Sequence, residues 1–442
     1  MPTDSTSAAQ AEGASATPPA SPSGPPVRPA KTPESPAVLH VALLTGGTDR
    51  PYALGMAAAL VAQGVVTDFI GSNDLDSPIL HGSSLINFLN LRGDQDESAP
   101  LREKMVRIIV YYGRLVRYAA VARPRVFHIL WNSKYAFVDR VLLMLWFRLL
   151  GRQVVLTAHN VNTAKRDSRD TWFNRLTLRI QYRLCSQLLV HTARMKDELT
   201  SDFGVRPAKV SVIPFGINNT VPTTSITRLE ARARLGLTTT DRTLLFFGQI
   251  APYKGLEYLI DAVLLGAPAE DFRLVIAGKV KRGFEDYWRA IQQKLGDERL
   301  RARVVCRIQF IPDAEVELYF KAADAVVIPY VDIFQSGVPF LAYSFGLPVI
   351  ASDVGSLRED IVEGKTGYVC KPRDAADLAG CIKRYFNSDL CLNLETHRQN
   401  IRDHANERYS WAKVGAIIRA VYQQLSPETP GGEAARGRDP QV

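Results

Sequence analysis

At 442 residues, 46% hydrophobic and 22% charged, the chain has room for two domains with ample core. Its five cysteines (Cys185, Cys306, Cys370, Cys381 and Cys391) show neither C-x-x-C nor ligand spacing with histidine, which excludes a disulfide framework and a zinc site and suits a cytoplasmic protein. The net charge of +9 is one-sided: residues 100–183 hold seventeen Lys and Arg against Glu103, Asp139, Asp167 and Asp170. That imbalance points to an anionic partner, a membrane surface or a phosphorylated acceptor. Nucleic acid ranks last, because neither an aromatic-glycine RNA motif nor zinc-finger spacing is found.

Residues 1–36 are Ser, Pro, Ala, Gly and Thr with scarcely an aliphatic residue, too few to offset ordering entropy, and disorder is expected there and in 427–442. The first stretch has no apolar run of the length a signal peptide needs. A first domain is expected over 37–217. His40–Gly46 is a buried strand ending in Gly46-Gly47, Tyr52–Gln63 a helix and Val65–Gly71 a second strand. The turn lacks the G-x-G-x-x-G spacing of dinucleotide binders, so a dehydrogenase is not favoured.

Leu101–Ala122 is an amphipathic helix. At 100° per residue, Lys104, Arg114 and Arg117 fall within roughly 80° of Arg107, with Tyr111 and Tyr118 among them. Met105, Ile109, Tyr112 and Val116 lie opposite. The pattern fits a helix on an anionic membrane surface, or a sheet-covering helix with a solvated basic face. Val126–Trp131 is a strand, and Tyr135–Leu150 an apolar helix too short and too charged to span a bilayer, for which core burial is favoured over a partner or lipid on its outer face. Gln153–Asn160 ends in Thr157-Ala-His-Asn160. Ligands in doubly wound sheets sit at the carboxyl ends of strands, so His159 is expected to point into a crevice. Lys165, Arg166 and Arg169 follow, either meeting an acceptor phosphate or as a solvated cluster.

Residues 218–240 read as a linker and 241–426 as a second strand–helix repeat. Arg242–Ile250 is a strand, and Lys254 lies beside Gly255 in the strand-to-helix loop, where it can meet a diphosphate. Lys279, Lys281 and Arg282 follow a later strand end, as further cations or as a solvated loop. Ala325–Tyr330 is a buried strand and Asp332–Gln335 a loop. Ser336 is expected to cap a helix carrying Pro339 in its first turn and closed by Gly346. Such a helix start aims N–H groups and a positive dipole end at the crevice, and Gly337 lets a phosphate approach the main chain.

The stretch from Pro329 to Gly355 resembles the nucleotide-sugar site of family-4 glycosyltransferases, which share the two-domain GT-B fold. It is most similar to the branch with a Gln-Ser-Gly-Val loop. Gly248 and Lys254 match the family's Gly-Arg…Lys-Gly signature, with Gln249 in place of the arginine. The family's two glutamates eight apart are Ile333 and Leu341 here. Asp332 and Glu359 are nearby acids, and Glu359 matches a further family glutamate. His159 matches the family's histidine near the sugar.

The resemblance implies an α/β GT-B protein with two Rossmann-like doubly wound domains facing a cleft. It also implies a closing helix, Trp411–Leu425, that returns to the first domain. The expected activity is retaining transfer of a sugar from a nucleoside diphosphate donor to a glycan or lipid-linked acceptor. The expected site comprises His159, Gly248, Gln249, Lys254, Ser336, Gly337, Val338 and Glu359. No metal and no cofactor beyond the donor are expected, because Lys254, main-chain N–H groups and the dipole would meet the leaving charge. The expected location is cytoplasmic, peripheral on the inner face of the membrane. A nucleotide-sugar epimerase, a non-catalytic nucleotide-sugar sensor and a structural membrane-surface protein are the other readings.

Overall fold

A computed structural model describes residues 39–46, 49–96, 98–133, 135–166, 170–217, 221, 223–266 and 270–426. The tails expected at 1–36 and 427–442, together with Gly47 and Arg169, lie outside these residues.

Strands β1 (His40–Leu44), β2 (Val66–Gly71), β3 (Ile86–Asn90), β4 (Val126–Ile129), β5 (Gln153–Thr157), β6 (Gln187–Val190) and β7 (Val210–Val212) form one parallel sheet. Its order is β3-β2-β1-β4-β5-β6-β7. A second parallel sheet holds β8 (Arg242–Phe247), β9 (Phe272–Ala277), β10 (Val304–Arg307), β11 (Ala325–Ile328), β12 (Val349–Ser352) and β13 (Gly367–Cys370), ordered β10-β9-β8-β11-β12-β13. Both orders reverse beside their first strand. Helices cover both faces of such sheets, so central strands read as continuous apolar runs; β4 and β11 are buried at every position.

Pairing stops earlier than the apolar runs suggest. The strands end at Leu44, Ile129, Thr157, Phe247 and Ile328, not at Gly46, Trp131, Asn160, Ile250 and Tyr330. The residues thus released form the loops at the carboxyl ends. Those loops line the crevices where the strand order reverses, beside β1 and beside β8.

The closing helix, Trp411–Leu425, packs on the helix Arg50–Ala62 and joins the first domain's core through Val414, Ile418, Val421 and Tyr422. Two glycines make the seat. A Cβ on Gly55 or Gly216 would come within 2.3 or 2.4 Å of the Trp411 ring. Tyr422 Oη lies 2.6 Å from Nδ1 of the fully buried His128. The stretch 241–426 is therefore shared between two cores.

The helix Leu101–Val121 departs from the orientation its pattern suggests. It turns Tyr111, Leu115 and Ala119 inward and leaves its apolar stripe in solvent, with Met105 at 52% and Ile109 at 68% exposure. Arg107 is half-buried, so the solvated face is not simply the basic one. The segment Tyr135–Leu150 is likewise only half core. A π-type turn over Val138–Leu142 and the helix Leu143–Leu149 bury Val141, Met144 and Phe147, while Leu142, Leu145 and Leu149 stay exposed. Trp146 Nε1 donates to Val116 O at 3.2 Å, and Arg140 donates to Asn174 Oδ1 at 2.8 Å. These bonds set the segment between the helices Leu101–Val121 and Trp172–Leu184. Trp172, Phe173 and Leu176 extend the exposed apolar face.

Candidate active site

A cleft of about 330 Å³ is lined from both domains. The second supplies Gly248, Gln249, Lys254, Ile333, Leu341 and the loop Gln335–Val338. The first contributes Asp49, Tyr52, Phe215 and Gly216, and the closing helix adds Trp411. Six of the eight expected site residues meet here: Gly248, Gln249, Lys254, Ser336, Gly337 and Val338.

Lys254 ends the short turn Pro252–Lys254 after β8 and is only 8% exposed. Its Nζ lies 3.7 Å from the centroid of Tyr330, the residue two beyond β11. The turn is tied to that strand end because Val331 N–H donates to Tyr253 O at 2.9 Å. Gly255 must be glycine. Its φ is +63°, and a Cβ would lie 2.0 Å from Pro329 O. Gly248 (φ +116°) passes so close to Gly278 that a Cβ on Gly278 would meet Gly248 O at 1.7 Å. The Gly248 position is therefore one of backbone crossing.

The Gln335–Val338 loop differs in detail from expectation. The helix runs Val338–Ser344 with Gly337, not Ser336, as its cap residue. The Ser336 hydroxyl still serves the first turn, accepting from Val338 N–H at 3.3 Å. Gly337 has φ −75°, open to any residue, and a Cβ there would touch only Phe215 at 3.6 Å. Its smallness toward the cleft, not conformational freedom, is what it offers.

A buried network behind the loop holds it. The Ser356 hydroxyl donates to Gln335 Oε1 at 2.8 Å and also lies 3.1 Å from Asp360 Oδ2; Tyr409 Oη donates to Asp360 Oδ1 at 3.0 Å. Burial pushes the Asp360 carboxyl up to about 6 despite these donors. Gly355 (φ +58°) packs against the carbonyl of Ile333, where a Cβ would lie 2.1 Å away.

Two expected residues stand outside the cleft. Glu359 is exposed and is not among the lining residues; its carbonyl accepts from Arg408. The acid turned inward is its neighbour Asp360. Asp332 is also exposed and lines a separate groove with Lys165 and Arg194. His159 sits one ring behind the cleft wall. It stacks on Trp131 at 4.3 Å, meets the edge of Tyr52 at 4.7 Å, and has Nδ1 3.3 Å from His191 Nε2. Its Nε2 is buried without a hydrogen-bond partner. Burial, then the fields of His191 and His128, hold its pKa well below the ordinary histidine value, so the ring is neutral. Lys165 is ion-paired with Asp202 at 3.3 Å and Glu198 at 3.7 Å, so its charge is met within the first domain.

The residues not foreseen are Asp49, Tyr52, Phe215 and Trp411. Asp49 caps its helix, accepting from Tyr52 N–H at 3.1 Å, and burial raises its carboxyl pKa. The Asp-x-Pro start of that helix was a readable cap signal. Phe215 stacks on Phe340 of the second domain at 5.1 Å, and no local pattern announces that contact.

Residues 241–388 match the family described as Glycosyl transferases group 1, and residues 49–220 match Glycosyltransferase Family 4. A D-inositol 3-phosphate glycosyltransferase of Corynebacterium glutamicum is 25% identical over 414 residues, 87% of this chain and 94% of that protein. One of Geodermatophilus obscurus is 29% identical over 251 residues, but spans just 55% of this chain and 53% of that protein. Among solved structures, HepE of Anabaena in complex with UDP-glucose aligns with TM-score 0.65 at 18% identity, over 87% of this chain and 99% of that one. Sucrose-phosphate synthase of Thermosynechococcus elongatus aligns with TM-score 0.67 at 20% identity, over 88% and 99%. At these identities the structures speak for the fold. With each half matched by a glycosyltransferase family and the paired sheets shared with these structures, the chain is a glycosyltransferase of the GT-B fold, family 4 in its first domain and group 1 in its second.

Proposed function

We propose that the protein moves a sugar from a nucleoside diphosphate donor to an acceptor hydroxyl, with retention of anomeric configuration. The observation that carries this is Lys254, a buried cation in an interdomain cleft shared with the Ser336–Val338 loop. The donor's glycosyl C–O bond breaks, leaving charge on the diphosphate. Lys254, the loop N–H groups and the dipole of the helix Val338–Ser344 stabilise that charge as it grows. The acceptor oxygen bonds to the same face and passes its proton to the departing phosphate oxygen. Gln249 adds a neutral hydrogen-bonding group, and His159, itself neutral, orients Tyr52 against the sugar. HepE, solved with UDP-glucose, supports a donor of that class. Incubation with a panel of nucleotide sugars should release nucleoside diphosphate only when acceptor is present, and proton NMR of the product should show the donor's anomeric configuration. An inverted product removes the retaining mechanism. Conversion of the donor to its epimer without nucleotide release would favour an epimerase.

We further infer a peripheral membrane location and a lipid-linked acceptor. Support comes from the exposed apolar face shared by the helices Leu101–Val121, Leu143–Leu149 and Trp172–Leu184, which is bordered by exposed Arg114, Arg117, Arg148 and Arg179. An apolar face of this kind enters the headgroup boundary, and each near-surface cation adds about 1 kcal/mol on anionic lipid. Wild type should bind phosphatidylglycerol vesicles in a salt-sensitive way. Met105→Ser, Ile109→Ser and Leu145→Ser together should abolish binding without lowering the melting temperature. Wild type that ignores such vesicles at low salt would remove the membrane from this reading.

A further inference from the structure

The two places where the chain crosses between the domains, Phe215–Ile217 and Tyr409–Trp411, are fastened to each other. Ile217 N–H donates to Tyr409 O at 2.9 Å, and the Gly216 backbone lies against the Trp411 ring. The loop Gln335–Val338 is built onto this junction. Phe340, in the helix that follows the loop, stacks on Phe215 at 5.1 Å and meets the edge of Tyr409 at 4.7 Å. Tyr409 Oη donates to Asp360 Oδ1 at 3.0 Å. One buried carboxyl thus joins the junction to Ser356 and Gln335, and Gln335 lines the cleft.

The protons of this chain can be counted. Ser356 Oγ has one hydrogen and two acceptors in reach, Gln335 Oε1 at 2.8 Å and Asp360 Oδ2 at 3.1 Å. Given to Gln335, it leaves Asp360 Oδ2 facing the lone pairs of Ser356, unless Oδ2 carries a proton of its own. The other donor near Oδ2, Gln335 Nε2, stands at 3.5 Å, the limit of a hydrogen bond. A neutral Asp360 closes the chain: Oδ2–H donates to Ser356, Ser356 donates to Gln335, and Oδ1 accepts from Tyr409. With the amide reversed, Ser356 could serve an ionised Asp360, but Gln335 Oε1 would then face Oδ2 at 3.5 Å with no proton between them.

The charges around Asp360 oppose one another. Exposed Arg408, on the helix Leu394–Tyr409, favours the ionised form, while exposed Glu359 on the same turn as Asp360 disfavours it. Arg408 itself donates to Glu359 O at 3.0 Å, and Tyr343 donates to the main-chain carbonyl of Asp360. Burial decides the balance and pushes the carboxyl up to about 6, in agreement with the count.

We propose that Asp360 is a positioning residue for donor binding: as a neutral acid it holds Gln335, through Ser356, against the interdomain junction, and its ionisation lets Gln335 go. The inference rests on the reading of the cleft as the donor site. Held this way, Gln335 fixes the loop whose N–H groups meet the diphosphate. An ionised Asp360 takes the Ser356 proton for itself, and Gln335 loses its donor. Donor affinity therefore falls as pH rises.

The test compares wild type with Asp360→Asn between about pH 5 and pH 8. The asparagine accepts from Tyr409 and donates to Ser356 at any pH, so it fixes the neutral arrangement. The probe is whichever of UDP-glucose, GDP-mannose and dTDP-glucose wild type binds; as diphosphate diesters, none of them titrates in this range. Wild type should bind about fivefold more weakly at the upper pH, the loss of one hydrogen bond. Asp360→Asn should keep its affinity throughout, and so bind more tightly than wild type at the upper pH. Ser356→Ala, which cannot pass the change on, should bind weakly at every pH, and it carries the test if Asp360→Asn does not fold. Melting curves read the proton without a ligand. The folded carboxyl keeps its proton up to about 6 and an unfolded one only to about 4, so wild type loses stability as pH rises between these values and Asp360→Asn does not. Affinity that follows pH alike in wild type and the variants overturns the proposal, as do wild-type and Asp360→Asn melting temperatures that run parallel across this range. If no nucleotide sugar binds wild type, the donor reading fails and the proposal falls with it. The melting curves keep that failure distinct from a wrong proton count.

Discussion

Replacing Lys254 by Met should lower turnover by two or more orders of magnitude while the protein stays folded. The size follows from where the charge sits. Lys254 is nearly buried, with Nζ over the Tyr330 ring and beside the loop that would hold the diphosphate. A cation in a water-poor cleft acts on developing charge far more strongly than one in solvent, and a hundredfold loss corresponds to about 2.7 kcal/mol in the transition state. Met keeps most of the stem's volume, and losing the cation over the Tyr330 and Tyr253 rings costs about 0.5–2 kcal/mol of stability. Lys254→Ala should show the same turnover with a further drop in melting temperature from lost packing. The readouts are kcat/KM with the cognate donor and thermal unfolding of both variants. Near-normal turnover in folded Lys254→Met would remove the residue from the chemistry.

Much of this was readable along the chain. The strands announce themselves as short Val, Ile and Leu runs, and the loops after β8 and β11 carry Gly248, Lys254 and the Gln-Ser-Gly-Val stretch in legible form. Strand ends were overrun because an apolar residue in a cleft loop looks locally like one more strand residue; Trp131 and Tyr330 are examples. The helix Leu101–Val121 was left with two readings for a different physical reason. Periodicity shows that a helix has two faces, but here the inward face is built on Tyr111 and Leu115, and the apolar stripe was left to solvent. The cleft depends on side chains far apart in sequence, such as Tyr52 with Trp411. No local pattern brings those together. Glu359 and Asp360 show the finest limit, since a one-residue difference in facing decides which carboxyl is exposed and which is tied to Tyr409 and Ser356.

Gly337→Val should take nucleoside diphosphate binding below detection, at least a hundredfold weaker than wild type, while unfolding remains cooperative and close to wild type. The structure separates the two effects cleanly. With φ −75° and ψ −15°, the backbone at Gly337 accepts any L-residue. A Cβ there meets the Phe215 ring at an ordinary 3.6 Å. Stability therefore gives no reason for glycine, and Gly337→Ala should melt like wild type. Binding does give one. The residue is exposed on the cleft wall between Ser336 and Val338, and two added methyls would stand where a phosphate must reach the loop's N–H groups. Gly337→Ala should fall between, with affinity reduced several-fold. Calorimetric titration of the three proteins, paired with their melting curves, gives the order wild type, Ala, Val in affinity and no such order in stability. Equal affinity for Gly337→Val and wild type would mean that the diphosphate binds elsewhere. A loss of stability in step with affinity would mean that the glycine serves packing against Phe215 rather than a ligand.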